Sequence, residues 1–374
     1  MAFFERLTAL PPQRARGLLE AATAADVERV LAAPRLRIEA APVLFSAAAR
    51  PYLEQMARRA AAVTRQRFGR TITLYAPLYL SSHCVNRCAY CGFAAHRPGE
   101  RRSLSLEQAL REAELVMERR IRHLLLVTGE APERYGLEAI CEVARHLRPR
   151  AASVAVEIFP CDIDGYRRLA RAGVDSLVLY QETYLPGRYA ALHPAGPKRD
   201  FARRLDAVEA GGAAGFRSLG IGALLGLGPW RLEGVYLAFH ADHLGRAFPG
   251  ARIAVSFPRL RPIAGEPPPA AEHVADADLV QLIVGMRLLF PDAEIVISTR
   301  EPAALRDHLI HLGVTRISAA SRTSPGGYGR GDVDERDGQF CTDDRREVAE
   351  VAASIRAAGF DVVAKDFDAA FVAG

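Results

Sequence analysis

Thr71–Phe93, TITLYAPLYLSSHCVNRCAYCGF, is the stretch that decides how this chain reads. Its first ten residues are rich in Thr, Ile, Leu and Tyr, types favoured on the pleated surface of a strand. The remainder sets Cys84, Cys88 and Cys91 with three residues and then two between them. Thiolates are soft ligands suited to zinc or to iron–sulfur clusters. Structural zinc takes four ligands, normally as two spaced pairs, and no second pair follows; His83, adjacent to Cys84, has the wrong spacing to complete one. Three cysteines on one loop suit a four-iron–four-sulfur cluster in which one iron lacks a protein thiolate and stays open to a small chelator. A zinc knuckle, or three cysteines packed together without metal, are the alternatives.

Outward from this stretch the chain alternates. Further β-prone runs are HLLLVTG from His123, SVAVEIF from Ser153, SLVLYQET from Ser176, SLGIGALLGL from Ser218, RIAVSFPRL from Arg252, EIVIST from Glu294 and VTRISAAS from Val314. Helical stretches lie between them. SLEQALREAELVMERR opens with Ser105 and Gln108 in capping-box spacing, and DFARRLDAVEAGG closes on a glycine pair that reads as a helix stop. Eight strand–helix units predict a parallel (β/α)₈ barrel of the TIM type, an α/β fold; a doubly wound open sheet is the alternative, which the number of units disfavours. Residues 1–70 read as helices only, giving an N-terminal helical extension (1–70) before a barrel with its C-terminal region (71–374). Two long loops, 81–103 and 322–342, follow strand ends, where barrel active sites are built. DDRREVAEVAASIRAAG reads as a last helix and DVVAKDF as a closing run.

Bulk composition excludes several classes. Of 374 residues 49% are apolar and 25% charged, ordinary for a globular protein, and no stretch approaches the ~20 apolar residues of a membrane span. The start, MAFFERLTALPPQRARG, is charged within five residues and has no apolar core of a secretory signal, so a cytoplasmic protein is expected. The net charge of +5 comes from arginines interspersed with acids; only Lys198 and Lys365 are lysines. This is a solvated arginine-rich surface rather than a nucleic-acid footprint. Neither nucleic acid nor membrane is an expected partner. A disulfide framework is not expected, and Cys141, Cys161 and Cys341 read as structural or incidental.

The cysteine spacing, with Tyr90 as the aromatic just before the third cysteine, resembles the signature of the radical S-adenosylmethionine (SAM) superfamily. That resemblance implies one four-iron–four-sulfur cluster on Cys84, Cys88 and Cys91, whose open iron binds SAM and whose electron releases a 5′-deoxyadenosyl radical. Thr128, Gly129 and Glu130, ending the second run, resemble the superfamily's GGE motif for SAM, and Glu157 is a further candidate for the SAM ribose or amino group.

A closer resemblance lies in PLYLSSHCVNRCAYCGF, HLLLVTGE, YQETY, GIGALLGL, SFPRLRP, STRE and SPGGY, which are similar to the aromatic amino acid lyase group. The chain lacks cysteines after Cys341, so ligands for the second cluster of the hydrogenase-maturation tyrosine lyases are not expected; the ending VVAKDFDAAF resembles the tyrosine lyases of thiamine biosynthesis. What this implies is Cα–Cβ cleavage of L-tyrosine to dehydroglycine (2-iminoacetate) and p-cresol. The partners implied are thiazole synthase with its sulfur carrier protein and a flavodoxin- or ferredoxin-type reductant. A free amino acid needs a cation for its carboxylate, and Arg300, just past the seventh run, is the first candidate, with Ser298 and Ser318 as hydrogen-bonding neighbours. Tyr79 is a candidate for the substrate pocket. Gln181, Glu182, His193, Arg259 and Arg261 sit at strand ends or loops without an assignable role. A lyase for another aromatic amino acid, or a non-catalytic iron–sulfur or zinc protein, are the rival readings.

Overall fold

The computed structural model describes residues 2–263, 267, 272–330 and 337–364. Eight strands follow one another around a sheet in chain order: β1 (Thr71–Ser81), β2 (His123–Thr128), β3 (Ser153–Glu157), β4 (Ser176–Val178), β5 (Ser218–Gly222), β6 (Arg252–Ser256), β7 (Glu294–Ile297) and β8 (Arg316–Ser318). Every pairing is parallel, and β1 bonds to both β2 and β8, so the sheet closes into a (β/α)₈ barrel. Closure rules out the open doubly wound sheet. β1 runs one residue past its predicted run, and the other seven strands lie inside theirs but are shorter, because the tail of each run turns into the loop at the barrel mouth.

Strand period places the side chains. Leu74, Ala76, Leu78, Leu80, Leu124 and Leu126 join the large core against the outer helices. Their alternates Tyr75, Tyr79, Leu125, Val127 and Ala155 form a separate cluster inside the barrel. A parallel sheet buried on both faces needs such apolar runs. At the floor of the lumen the Glu294 carboxylate takes Arg252 (2.9 Å) and Arg316 (3.4 Å).

β1 is long because it has three partners. Thr73–Tyr75 pairs with β8, and Tyr75–Ser81 pairs with β2 on the other edge. The stretch Thr71–Thr73, which β2 leaves open, takes up a ninth strand, β9 (Asp361–Val363). β9 is the beginning of the predicted closing run; from residue 365 on, that run lies outside the described residues, as do 331–336 of the second long loop.

The first seventy residues are helical, as expected, with α-helices at Phe3–Ala9, Pro12–Glu20, Ala24–Ala32, Ala41–Phe45 and Leu53–Phe68. Phe3, Leu44 and Phe45 are buried in the same core as the barrel helices. Gln281, on the helix Asp276–Leu289, donates to the carbonyls of Leu44 and Ser46 (both 2.9 Å).

Two helix boundaries differ from expectation. The helix Phe201–Ala213 runs through Gly211 and Gly212 instead of stopping there. Those glycines serve packing: a Cβ would come 2.5 Å from Leu177 at the first and 2.5 Å from Phe248 at the second. The last helix starts at Val348 rather than at Asp343. Asp344 is instead buried in an ion pair with Arg306, which holds its backbone out of the helix. The capping box at Ser105 and Gln108 forms as read (3.2 and 3.0 Å).

Candidate active site

The loop after β1 carries the three cysteines across the barrel mouth, and backbone hydrogen bonds fix it to three other segments. Val85 donates to the Glu130 carbonyl just past β2 (2.9 Å), Arg87 and Ala89 to Ala195 and Leu192 (both 3.1 Å), and Gly92 to Gln339 (2.9 Å). Gly129 is glycine because a Cβ there would run into the His83 carbonyl. Inside the loop Asn86 is buried and fully used: its Nδ2 donates to Glu130 (2.6 Å) and its Oδ1 accepts from the Lys198 backbone (2.8 Å).

All three thiols are free of disulfides. Burial pushes the Cys88 thiol up to about 12 and raises Cys91 as well, in each case against the pull of Lys198. A bound metal would deprotonate a coordinated thiol outright. The Thr128 hydroxyl, one strand away, is buried without a hydrogen-bond partner. A soft donor set, with an orphaned polar group on the neighbouring strand end, fits an iron–sulfur cluster with a polar small molecule beside it.

Below the loop the lumen opens into a cavity of about 100 Å³. Cys91, Tyr79, Tyr90, Glu157, Ser298, Arg300 and Ser318 all line it, whereas Cys84 and Cys88 do not. Thr128, Gly129 and Glu130 stand behind the cysteine loop at the end of β2.

The Arg300 guanidinium makes no ion pair among the described residues and lies over the Phe340 ring, 3.3 Å from its centroid. Burial lowers its pKa below the usual arginine range, with Tyr79, Glu182 and Glu157 acting the other way. A half-buried guanidinium with no ion pair among the described residues is a strong carboxylate receptor. Ser318 accepts the Thr299 N–H (3.0 Å) and Ser298 the Arg300 N–H (3.4 Å), and both residues line the cavity.

Charges on the opposite wall are paired. Glu182 sits at φ +70, an uncommon conformation for a residue with a side chain, and binds Lys198 (2.6 Å) and Arg204 (3.6 Å). Burial opposes its ionisation, but the two cations keep it below the usual carboxylate range. Glu157 is pushed up to about 7, by burial first and by Glu182 second. Tyr90 meets His193 (2.6 Å), whose Nδ1 donates to the Tyr189 carbonyl (2.7 Å). Nε2 of the neutral ring is thus the acceptor and Tyr90 the donor; burial lowers the His193 pKa to about 3.

Of the unassigned residues, Glu182 and His193 belong to this site. Arg259 and Arg261 do not: both turn to Glu301, with Arg259 also reaching Asp276 (2.7 Å) and Arg261 reaching Asp343 (2.7 Å). Gln181 donates to the Phe201 carbonyl (3.3 Å). Sequence reading missed Asn86, Lys198 and Gln339. Lys198 had a signal, as one of two lysines in an arginine-rich chain; Asn86 had only its place between two cysteines.

Comparisons with known proteins show what the chain is similar to. A family model of the radical SAM superfamily matches residues 78–237, and that of the Biotin and Thiamin Synthesis associated domain matches residues 256–361. The chain is 41% identical to 2-iminoacetate synthase of Escherichia coli (strain K12) over 92% of its own length and 91% of that protein. It is 40% identical to the same enzyme of Salmonella typhimurium, with the same coverage. Among solved structures it resembles HydG, a maturase of the FeFe-hydrogenase, with a TM-score of 0.86 and 30% identity, covering 94% of this chain and 80% of that one.

Proposed function

The chain belongs to the 2-iminoacetate synthase family of the radical SAM superfamily, and we propose from this that it cleaves the Cα–Cβ bond of L-tyrosine to 2-iminoacetate and p-cresol. The observation that carries the reading is that Cys91 and Arg300 line the same buried cavity. Cys84, Cys88 and Cys91 are the ligands that would hold a four-iron–four-sulfur cluster. When bound, the cluster and SAM supply a carbon radical able to remove one hydrogen atom from the substrate.

The chain's own residues then have defined work. Arg300 takes the tyrosine carboxylate, with the hydroxyls of Ser298 and Ser318 beside it. Thr128, Gly129 and Glu130 would border the SAM methionine, and the Glu130 oxygen not taken by Asn86 would accept from its amino group. Glu157 faces the same cavity at the end of β3 and serves the SAM ribose or amino group. Tyr79 and the apolar lumen beneath it keep water from the reacting atoms.

Residues 1–70 act as an extension braced on the barrel of residues 71–374. The protein works in the cytoplasm with thiazole synthase and its sulfur carrier protein, and takes electrons from a flavodoxin- or ferredoxin-type reductant. The match to a thiamin-associated domain supports that setting. Among the described residues no helix is long and apolar enough to cross a membrane.

Anaerobic incubation with SAM, reductant and either tyrosine or tryptophan tests the proposal. It predicts p-cresol and 5′-deoxyadenosine from tyrosine and no 3-methylindole-type product from tryptophan. SAM cleavage without p-cresol from a fully loaded enzyme would refute the substrate.

A further inference from the structure

Gln339 lies in the second long loop, far in sequence from the cysteines, yet it meets their loop with both backbone and side chain. Its carbonyl accepts the Gly92 N–H (2.9 Å), and its own N–H donates to Thr323 (3.0 Å). Gly92 has no room for a side chain, since a Cβ would run into the Gly338 carbonyl and stand 3.1 Å from that of Gln339. The two loops are therefore closed onto each other at the residue next to Cys91.

The side chain reaches into the cavity between Tyr79 and Cys91. Tyr79 donates to its Oε1 (2.8 Å), and the Cys91 sulfur lies within hydrogen-bond reach of the same carboxamide. Tyr79 is itself steadied by an edge contact with Phe93 of the cysteine loop, 5.8 Å between centroids at 87°. A thiolate bound to iron has no proton to give, so only the amide N–H can serve that contact. The phenol proton then goes to Oε1, and both neighbours select the same orientation of the amide.

We propose that Gln339 is a positioning residue that donates a hydrogen bond to the Cys91 sulfur and thereby eases one-electron reduction of the cluster. The inference rests on the ligand assignment above. A donor at a cluster sulfur stabilises the additional negative charge of the reduced state and so raises its potential. The phenol of Tyr79, on the substrate side, holds the donor in place.

The test is an EPR-monitored redox titration of the reconstituted full-length protein without substrate, with iron and sulfide measured on the same samples. Gln339→Met keeps the length and loses both donors. It should retain iron and sulfide while its ratio of reduced to oxidised cluster, at a fixed potential, falls about tenfold, or about 59 mV for one electron. Tyr79→Phe should move the midpoint in the same direction by less. A Gln339→Met midpoint equal to wild type overturns the proposal. Should that variant lose its iron, Tyr79→Phe decides alone, and an unmoved midpoint there overturns it. Wild-type protein without iron and sulfide would instead remove the ligand assignment itself.

Discussion

Arg300 and Phe340 are stacked, the guanidinium carbon 3.3 Å from the ring centroid, on the wall of the cavity that also exposes Cys91. The ring covers one face of the guanidinium and leaves its edge, with the parallel N–H donors, to meet a carboxylate. Lysine keeps the charge but not that fork. Arg300→Lys should therefore uncouple the two halves of the reaction. Misplacement by about an ångström costs on the order of a hundredfold in rate, so p-cresol formation should fall far more than 5′-deoxyadenosine formation, both read from one anaerobic assay. Equal losses would place Arg300 with SAM or with the fold.

Cluster retention separates the cysteines. Replacing Cys84, Cys88 or Cys91 by alanine should abolish SAM cleavage and lower iron and sulfide content. Cys341 contributes its backbone N–H to the Pro262 carbonyl (3.1 Å), and Cys341→Ala should leave cluster spectra unchanged. Iron lost only from the Cys341 variant would overturn the assignment.

Tyr90 tests whether an aromatic in the cysteine loop works through its ring or its hydroxyl. The hydroxyl is committed to His193, while the Lys198 ammonium lies 5.6 Å from the ring centroid. Tyr90→Phe keeps the ring and strands a buried His193 nitrogen, a cost of about 1–3 kcal/mol. Denaturant unfolding should show that loss while SAM affinity changes by less than about threefold. A large fall in affinity with stability intact would give the hydroxyl a direct role in cofactor binding.

Glu157 makes stability depend on pH with a definite sign. Its carboxyl is raised to about 7 by burial and by Glu182, against an unfolded value of about 4.3. Between those values the folded chain binds the proton and the unfolded chain does not. Its contribution is full at low pH and is lost as pH rises through about 7, on the order of 3 kcal/mol. Glu157→Gln should flatten the fall in thermal stability between pH 5 and 8. Glu233, raised to about 7 chiefly by burial, keeps part of the same slope in the variant. Parallel pH profiles for the two proteins would show that Glu157 is not buried in this way.

What the sequence disclosed followed from local physics. Strands packed on both faces must be continuous apolar runs, so all eight could be read. Candidate ligands on one loop carry their own spacing, which is why Cys84, Cys88 and Cys91 stood out. The place of Arg300 on the cavity wall was legible because a barrel builds its site at strand ends. The same rule put Arg259 and Arg261 past a strand end without giving them a role, and their side chains turn to Glu301. Gly211 and Gly212 carry the local mark of a helix stop, and only Leu177 and Phe248, distant in sequence, show that they are packing residues. Gln339 and Asn86 were illegible for a related reason: an amide reveals its partner only when the loops meet.

The central claim concerns which bond breaks, and isotope tracing reads that directly. Tyrosine labelled with ¹³C at Cβ and, separately, at Cα would be turned over anaerobically with SAM, and the label located by mass spectrometry. The account predicts the Cβ label in the methyl group of p-cresol and the Cα label in 2-iminoacetate or the glyoxylate formed by its hydrolysis. Both labels recovered in one fragment, or retained in intact tyrosine while SAM is consumed, would contradict it.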